Sequence, residues 1–363
     1  MGKRAVSRLF YYLSVALTLI LAFITLGGAL VGSVSSNSLA LLPFIGLALP
    51  LLLLLNLAVA LYWALRWRYW AFVSLIAIVG NWGYLSCIFQ PGSQPESIPA
   101  DVLTIASYNV DSFGWDPYGH SCQQVADYMK NQQADILCLQ EFGTVYDFPL
   151  DSVKARLSNW PHSLIPYTAD SLPLLQLAVF SKYPIKASRL ITYPESKNCS
   201  MWCDIDVKGK TIRVFNNHLQ TTEASRNKRK LETVMRQDEG GYGTEVAAIR
   251  LLNGLKENFG KRALQAKTLR GFIDASPYPT LVCGDFNSLP SSYAYHTVMG
   301  KRLKDGFKTC GHGYMYTFRY FKHLLRIDYV LHSKELKGVD YFSPELEYSD
   351  HNPVIMRVKF IAE

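Results

Sequence analysis

Charge is nearly missing from the first quarter of the 363-residue chain. The first acidic residue is Glu96, and the only basic residues before it are Lys3, Arg4, Arg8, Arg66 and Arg68. Almost uncharged runs occupy about residues 9–34, 39–65 and 69–89, and a helix needs about 20 apolar residues to cross a membrane. A water-soluble domain is therefore excluded for this part of the sequence, which predicts three transmembrane helices.

The basic residues predict the orientation of these helices. They lie at the start of the first run and between the second and third runs, whereas the links at 35–38 and 90–100 contain no Lys or Arg. The positive-inside rule then places the amino terminus in the cytoplasm and everything after the third run outside it. We expect an integral protein of the inner membrane with its remaining domain on the periplasmic side.

The first run has an alternative interpretation as a cleaved secretory signal, because basic residues precede it. It is long, however, lacks a clear small-residue cleavage site and is followed by two further apolar runs. These features favour a retained helix.

Zinc-type spacings of Cys and His are also absent, as are internal repeats and low-complexity tracts. Cys138 and Cys283 stand in apolar, strand-like runs, where buried thiols are expected. Cys199 and Cys203 fit either a disulfide outside the cytoplasm or two unpaired thiols.

The sequence changes character after the apolar runs. Turn-forming residues concentrate at 91–100 and predict a linker, and a domain at 101–363 follows. In that domain, a strand pattern at 102–108, a helix pattern at 119–133 and a second strand pattern at 134–139 predict an α/β fold. Short strands follow, with a hairpin turn at Lys208-Gly209, and 222–273 has a helical pattern interrupted at 239–243.

The helical stretch carries two basic clusters. They consist of Arg226, Lys228, Arg229 and Lys230, and of Lys261, Arg262, Lys267 and Arg270. A solvated face is the simpler interpretation of both clusters. Contact with anionic lipid or with nucleic-acid phosphate is the alternative.

The stretch from Thr280 to Pro290 has a buried-strand pattern that ends in Asp285-Phe286-Asn287. Two short polar side chains two positions apart could both reach one phosphate or one metal-bound water. A plain Asx turn that caps the strand is the alternative interpretation.

Polar residues also end or adjoin the other predicted strands. The full set is Asn109, Asp111, Glu141, His218, Asp285, Asn287, Asp328, Asp350 and His351. Carboxylate and amide oxygens suit a hard divalent ion, and His transfers protons near neutral pH. Separately, each residue has a structural explanation, as a turn former or an exposed strand residue. Together they indicate phosphate-ester chemistry.

Six ordered segments carry a family resemblance: 107–111, 139–141, 217–220, 284–287, 326–329 and 349–353. They resemble the motifs of the endonuclease/exonuclease/phosphatase superfamily, which includes pancreatic deoxyribonuclease, apurinic endonucleases, bacterial sphingomyelinases and inositol polyphosphate 5-phosphatases. The resemblance covers about residues 101–363. It implies a four-layer α/β sandwich with two mixed sheets packed face to face.

The resemblance also implies roles for these residues. Mg²⁺, or Mn²⁺ in its place, would bind Glu141 and Asn109, with support from Asp350. Asp111 would hold a metal-bound water or a second ion.

The remaining residues would act on the phosphate and the water. Asp285 and Asn287 would position both, and His218 would lie near the leaving group. His351, oriented by Asp328, would serve as general base or as a phosphate-binding imidazolium.

The function expected from this reasoning is a membrane-anchored, Mg²⁺-dependent phosphoesterase that acts on a lipid head group or on nucleic acid at the bilayer. An extracytoplasmic nuclease and an inactive, membrane-tethered binding module are the alternatives. The sequence gives no reason to infer an obligate protein partner.

Overall fold

The computed structural model describes residues 3–36, 38–39, 41–144, 147–166, 177–222 and 242–361. The helices are α1 (Lys3–Gly27), α2 (Leu42–Leu65), α3 (Ala71–Gly80), α4 (Trp82–Ile88), α5 (His120–Asn131), α6 (Leu150–Arg156), α7 (Tyr242–Asp274), α8 (Tyr293–Met299) and α9 (Gly306–Cys310). A helical turn at Asp111–Gly114 and 3₁₀ helices at Gly28–Ser33 and Phe321–His323 complete the helical elements of these ranges.

The strands of the same ranges are β1 (Phe89–Gln90), β2 (Leu103–Asn109), β3 (Ile136–Gln140), β4 (His162–Leu164), β5 (Ala178–Ser181), β6 (Ile185–Thr192), β7 (Cys199–Val207), β8 (Lys210–His218), β9 (Thr280–Asp285), β10 (Leu303–Asp305), β11 (Gly313–Tyr314), β12 (Asp328–Ser333), β13 (Leu336–Phe342) and β14 (Val354–Phe360).

Two helices of the amino-terminal region are long and apolar enough to cross a membrane, one spanning Val6–Ser33 and the other Leu42–Leu65. The third predicted run forms α3 and α4 instead of one straight helix, and these are bent by 67° at Asn81. The Asn81 amide donates to the carbonyls of Thr25 and Ala77, both at 2.9 Å, so the break is fixed by hydrogen bonds. The bent pair counts as a third span only if both halves are taken together.

Polar side chains join these helices to one another. Asn56 Nδ2 donates to Thr25 Oγ1 at 2.7 Å, and Trp63 Nε1 donates to Thr18 Oγ1 at 2.8 Å. Hydrogen bonds between helices are a recognised source of association where the surroundings are apolar on all sides. The exposed faces of α1 and α2 are rich in Leu, Ile and Phe, as expected for helices that face lipid.

The predicted domain contains two six-stranded mixed sheets, with the strand orders β10-β12-β9-β8-β7-β6 and β13-β14-β2-β3-β5-β4. The apolar cluster between them takes side chains from both sheets, such as Ile105 and Val354 from one and Val214 and Val330 from the other. α5 and α6 cover the outer face of the second sheet, and α7 and α8 cover the outer face of the first. The expected four-layer α/β sandwich is therefore confirmed.

The amino-terminal helices pack directly against one edge of the sandwich. The apolar part of this contact consists of Leu49, Leu53, Tyr84, Leu289, Phe318 and Ile327. The strand β1, which follows α4 at once, pairs with β11 of the sandwich. Residues 91–100 form no helix or regular strand and are mostly exposed, yet the two regions they join are in contact on either side.

Arg326 forms the most buried polar part of this contact. Its guanidinium is fully buried, donates to both oxygens of Asp305 at 2.8 and 2.7 Å, and donates to the carbonyl of Cys87 at 2.7 Å. A buried ion pair of this kind satisfies both charges while it fixes the end of α4 on the sandwich.

The disulfide considered for Cys199 and Cys203 does not fit the fold. Both residues lie in β7. Residues four positions apart in a strand are separated by about 13 Å, beyond the reach of a disulfide.

Pro50 creates a second polar contact between the regions. Because proline has no N–H, the carbonyl of Gly46, four residues earlier in α2, loses its helical donor. Ser291 Oγ donates to this carbonyl at 3.0 Å, and both residues are buried. The sandwich therefore binds α2 at a carbonyl that the helix itself leaves free.

A double-mutant cycle tests this contact. Ser291→Ala should lower stability by about 1–3 kcal/mol, because it leaves the buried Gly46 carbonyl unpaired. In a Pro50→Ala background the new N–H restores the helical bond, and the same Ser291→Ala change should cost clearly less. Melting temperatures of the four proteins in detergent measure the difference, and equal losses in both backgrounds would contradict the assignment.

Candidate active site

Three neighbouring strands of the first sheet bring polar residues to one point. Asp285 is the last residue of β9, and the register pairs it with His218 at the end of β8 and with Asp328 at the start of β12. All three residues are at least 98 % buried. Gly284 permits this arrangement, because it has φ +130° and a Cβ there would lie 2.0 Å from the carbonyl oxygen of Asn217.

The second sheet contributes from the facing side. Asn109 is the last residue of β2 and pairs with Gln140, the last residue of β3. Glu141 comes directly after Gln140. Asn109 Nδ2 donates to Glu141 Oε1 at 3.1 Å and to Asp285 Oδ2 at 3.2 Å, so it joins the two sheets. Ser349 Oγ donates to the Asn109 carbonyl at 2.7 Å and holds the following residues, Asp350 and His351, at the same edge.

The Asp285 carboxylate has a separate task for each oxygen. Oδ1 accepts from the backbone N–H of Asn287 at 2.7 Å, which is the Asx turn anticipated from the sequence. Oδ2 faces the site, where it accepts from the Asn109 and Asn287 amides, each at 3.2 Å. The geometry is therefore compatible both with an Asx turn that caps the strand and with a functional carboxylate at this residue.

Backbone strain concentrates at the same edge. Asp111, Glu141 and Asn287 have φ values of +41°, +46° and +49°, which non-glycine residues seldom adopt. Such conformations cost about 1–3 kcal/mol each and persist where the surrounding structure imposes them. Their coincidence at one edge is typical of a functional site.

His351 and Asp328 form a hydrogen-bonded pair. His351 Nδ1 donates to Asp328 Oδ2 at 2.9 Å, and Nε2 lies 3.7 Å from Asp285 Oδ2 and 3.8 Å from Asp350 Oδ1. Burial opposes a charge on the imidazole, but the carboxylates of Asp328 and Asp285 outweigh it and raise the pKa of His351 to about 10. Burial and the charge of Asp328 raise the pKa of Asp285 to about 6.

His218 is fully buried, and neither ring nitrogen has a hydrogen-bond partner among the described residues. Nε2 lies 3.6 Å from Glu141 Oε1 and 3.7 Å from Asp285 Oδ2. Buried polar atoms are rarely left unpaired, so an orphaned imidazole facing two carboxylates indicates a group that an external ligand completes.

The acidic residues of this edge fit a divalent cation. Burial and the nearby charges of Asp350 and Glu141 raise the pKa of Asp111, as expected when carboxylates gather without a counter-ion. In the described part of the chain, ligand atoms of Asp285, Asp328 and His351 lie within 4.8 Å of one another. Since His351 Nδ1 is already hydrogen-bonded to Asp328, the oxygen donors of Glu141, Asn109 and Asp350 suit Mg²⁺ better. Their role as ligands stays a prediction.

All nine residues selected from the sequence thus lie at one edge of the sandwich, and six of them line a cavity of about 1060 Å³. These six are Asp111, Glu141, Asp285, Asn287, Asp350 and His351. Asn109 and His218 lie behind them, next to the Asp285 carboxylate, and Asp328 lies behind them with a hydrogen bond to His351.

Some residues that shape the site were not singled out from the sequence. Gln140 Nε2 donates to Asn216 Oδ1 at 2.6 Å across the two sheets, below Asn109 and His218. Thr317 Oγ1 accepts from the backbone N–H groups of Ile327 and Asp328, each at 3.0 Å, and so fixes the start of β12. The available signal for Gln140 and Asn216 was their position as the first polar residues after apolar ones at the ends of predicted strands.

Only the second of the two basic clusters lies in the described part of the chain. Arg226, Lys228, Arg229 and Lys230 lie outside the described residues. In the second cluster, Lys267 is exposed, but Arg262 is only 2 % exposed and lines the cavity. A solvated face is therefore the wrong interpretation for Arg262.

Comparisons with known proteins agree with this fold. A family model described as the endonuclease/exonuclease/phosphatase family matches residues 106–351, and a second model, described as a domain of unknown function, matches residues 8–88. No curated protein matches the chain at a significant level.

The chain is also similar to solved structures. A humanized D. rerio TDP2 aligns over 72% of this chain and 100% of its own, with a TM-score of 0.50 and 15% identity. The human Nocturnin catalytic domain with bound sulfate covers 73% of this chain and 95% of its own, with a TM-score of 0.48 and 18% identity. An endonuclease/exonuclease/phosphatase from Bacteroides vulgatus covers 72% and 99%, with a TM-score of 0.47 and 19% identity.

A four-layer sandwich with carboxylates, amides and imidazoles at one edge defines a class of phosphate-ester hydrolases. Because the family model spans more than half of the sequence, the chain belongs to the endonuclease/exonuclease/phosphatase family. Members of this family generally hydrolyse phosphate esters and typically depend on a divalent metal.

Metal binding provides a test that does not require a substrate. Glu141→Gln should weaken Mn²⁺ binding about tenfold or more, since even partners behind a ligand contribute that much to metal affinity. Titration calorimetry of the full-length protein in detergent measures the change. Glu195→Gln is the matched control, because Glu195 lines the cavity but forms none of the contacts above. Equal affinities for the Glu141 variant and the unaltered protein would remove Glu141 from the ligand set.

Proposed function

We propose that the protein is a membrane-anchored phosphoesterase that uses a divalent ion, Mg²⁺ in the simplest case, to hydrolyse a phosphate ester outside the cytoplasm. The observation that carries this proposal is the buried His218 imidazole, which faces Glu141 and Asp285 with both nitrogens unpaired among the described residues. Buried polar atoms usually have hydrogen-bond partners, and a phosphate ester or its leaving group would supply one here.

Glu141 and Asn109 would hold the ion, with Asp350 beside them, and their oxygen atoms would accept Mn²⁺ as well. Bound there, a divalent ion supplies charge neutralisation for a phosphate oxygen. Asp111, which is partly exposed and lines the cavity, would hold a water on the open side or a second ion.

The other residues act on the water and the phosphate. Asp285 Oδ2 is oriented by two amides and faces the cavity, which suits it to orient the attacking water. The hydrogen bond from His351 to Asp328 favours a protonated imidazole, so His351 fits the binding of a phosphate oxygen better than the role of base. His218 remains available to donate a hydrogen bond near the leaving group.

Hydrolysis of bis-p-nitrophenyl phosphate by the full-length protein in detergent tests the enzyme claim. We expect turnover that requires Mg²⁺ and stops with EDTA. Glu141→Ala should abolish it, and Asp328→Asn should reduce kcat by about 10²–10⁴, because the latter removes the carboxylate that orients His351. Absence of Mg²⁺-dependent turnover would instead support the inactive binding module.

The orientation has its own test. Protease added to right-side-out membrane vesicles should remove the domain at 101–363, whereas inside-out vesicles should protect it, because basic residues occur only at the opposite ends of the spans. Antibodies against the carboxyl-terminal strand detect the cleavage. Protection in right-side-out vesicles would reverse the proposed topology.

A further inference from the structure

The cavity at the active site is built by both parts of the chain. The sandwich supplies the catalytic edge, while the amino-terminal helices supply Val31, Pro43, Gly46 and Leu47. With a volume of about 1060 Å³, it lies at the upper end of the range found for small-molecule sites. It is larger than a phosphate group with a small alcohol requires.

The cavity walls combine polar and apolar parts. The polar part contains the carboxylates and the His351 imidazole of the active site. Elsewhere the walls include apolar side chains from two sources, Leu47 on α2 and Leu251, Leu255 and Phe259 on α7. The ring of Phe44 on α2 packs edge-on against the ring of Phe259 on α7, with 5.4 Å between the ring centroids, so the two helices are in contact here. This division matches a molecule with one anionic and one apolar part.

Arg262 lines the same cavity. Its guanidinium is buried, donates to the Gln220 carbonyl at 2.8 Å, packs over the Phe259 ring and forms no ion pair with a carboxylate among the described residues. Burial lowers the pKa of Arg262 to about 10, against the attraction of Asp285, so the group remains a cation at neutral pH. A buried cation without an ion-pair partner favours an anionic ligand.

We propose that this cavity binds one membrane phospholipid, with its phosphate ester at Asp285, His351 and Arg262 and its acyl chains against Leu47 and α7. The inference rests on the proposed function and names its substrate class. Hydrolysis would add water across a P–O bond, so that the hydroxyl remains on phosphorus and the proton leaves with the released alcohol.

The position of the apolar wall favours a lipid over a nucleic acid. Leu47 and Val31 belong to the two helical segments that are long and apolar enough to span a membrane, and they stand at the ends of those segments next to the sandwich. The acyl chains of a membrane lipid would therefore lie next to this wall of the cavity. Single-stranded nucleic acids instead use basic grooves with stacked aromatic rings, and the apolar wall would be of no use to them.

The full-length protein in phospholipid nanodiscs, supplied with Mg²⁺, tests the proposal. Turnover of the nanodisc phospholipid is followed by mass spectrometry, beside bis-p-nitrophenyl phosphate and single-stranded DNA as soluble substrates. We expect lipid turnover, and we expect Leu47→Gln to lower the ratio of lipid to bis-p-nitrophenyl phosphate hydrolysis about tenfold, as for the loss of an apolar contact with substrate. Leu255→Gln, on the α7 wall, should lower the same ratio. It provides a second measurement of that ratio if the Leu47 variant folds poorly.

Leu252→Gln is the matched control for Leu255→Gln, because Leu252 lies on α7 as well, is 51% exposed and does not line the cavity. It should leave the ratio unchanged. Bis-p-nitrophenyl phosphate hydrolysis without lipid turnover would overturn the lipid proposal and leave the proposed function standing, whereas loss of all turnover would count against the function itself. DNA turnover that exceeds lipid turnover and is unaffected at Leu47 would also overturn the lipid proposal.

Discussion

The Asp285 carboxylate joins the parts of the site more than any other group in the described structure. One oxygen accepts the Asn287 N–H and so shapes the turn that ends β9, while the other accepts the Asn109 amide from the opposite sheet. The turn, the packing of the sheets and the polar edge therefore share one buried charge. Its burial costs free energy, which the surrounding amide donors and the nearby imidazoles offset.

Much of this arrangement could be predicted from the sequence. Apolar strands that end in polar residues identified β2, β3 and β9, because buried strands read as apolar runs with a clear end, and the hairpin turn at Lys208-Gly209 identified β8. The polar strand ends located Asn109, Glu141, His218 and Asp285. Their meeting at one edge depended on sheet pairing, which a single sequence shows only through resemblance to a family.

Other features could not be predicted, for physical reasons. Arg262 looked like part of a solvated helix face, since charge clusters carry no information on which turn of a long helix is buried. The bend at Asn81 depends on hydrogen bonds to Thr25 and Ala77, and the Thr25 partner lies on another helix. The contact between the helices and the sandwich is also long-range, and turn-forming residues at 91–100 indicated separation instead.

Pro50 has a consequence for where the cavity lies along α2. The sandwich binds this helix at the Gly46 carbonyl because the proline four residues later leaves that atom without a donor. An α-helix rises about 5.4 Å per turn, so a proline placed one turn further along would move the free carbonyl by that distance. The position of Pro50 along α2 therefore sets the distance between the catalytic edge and the centre of the helix.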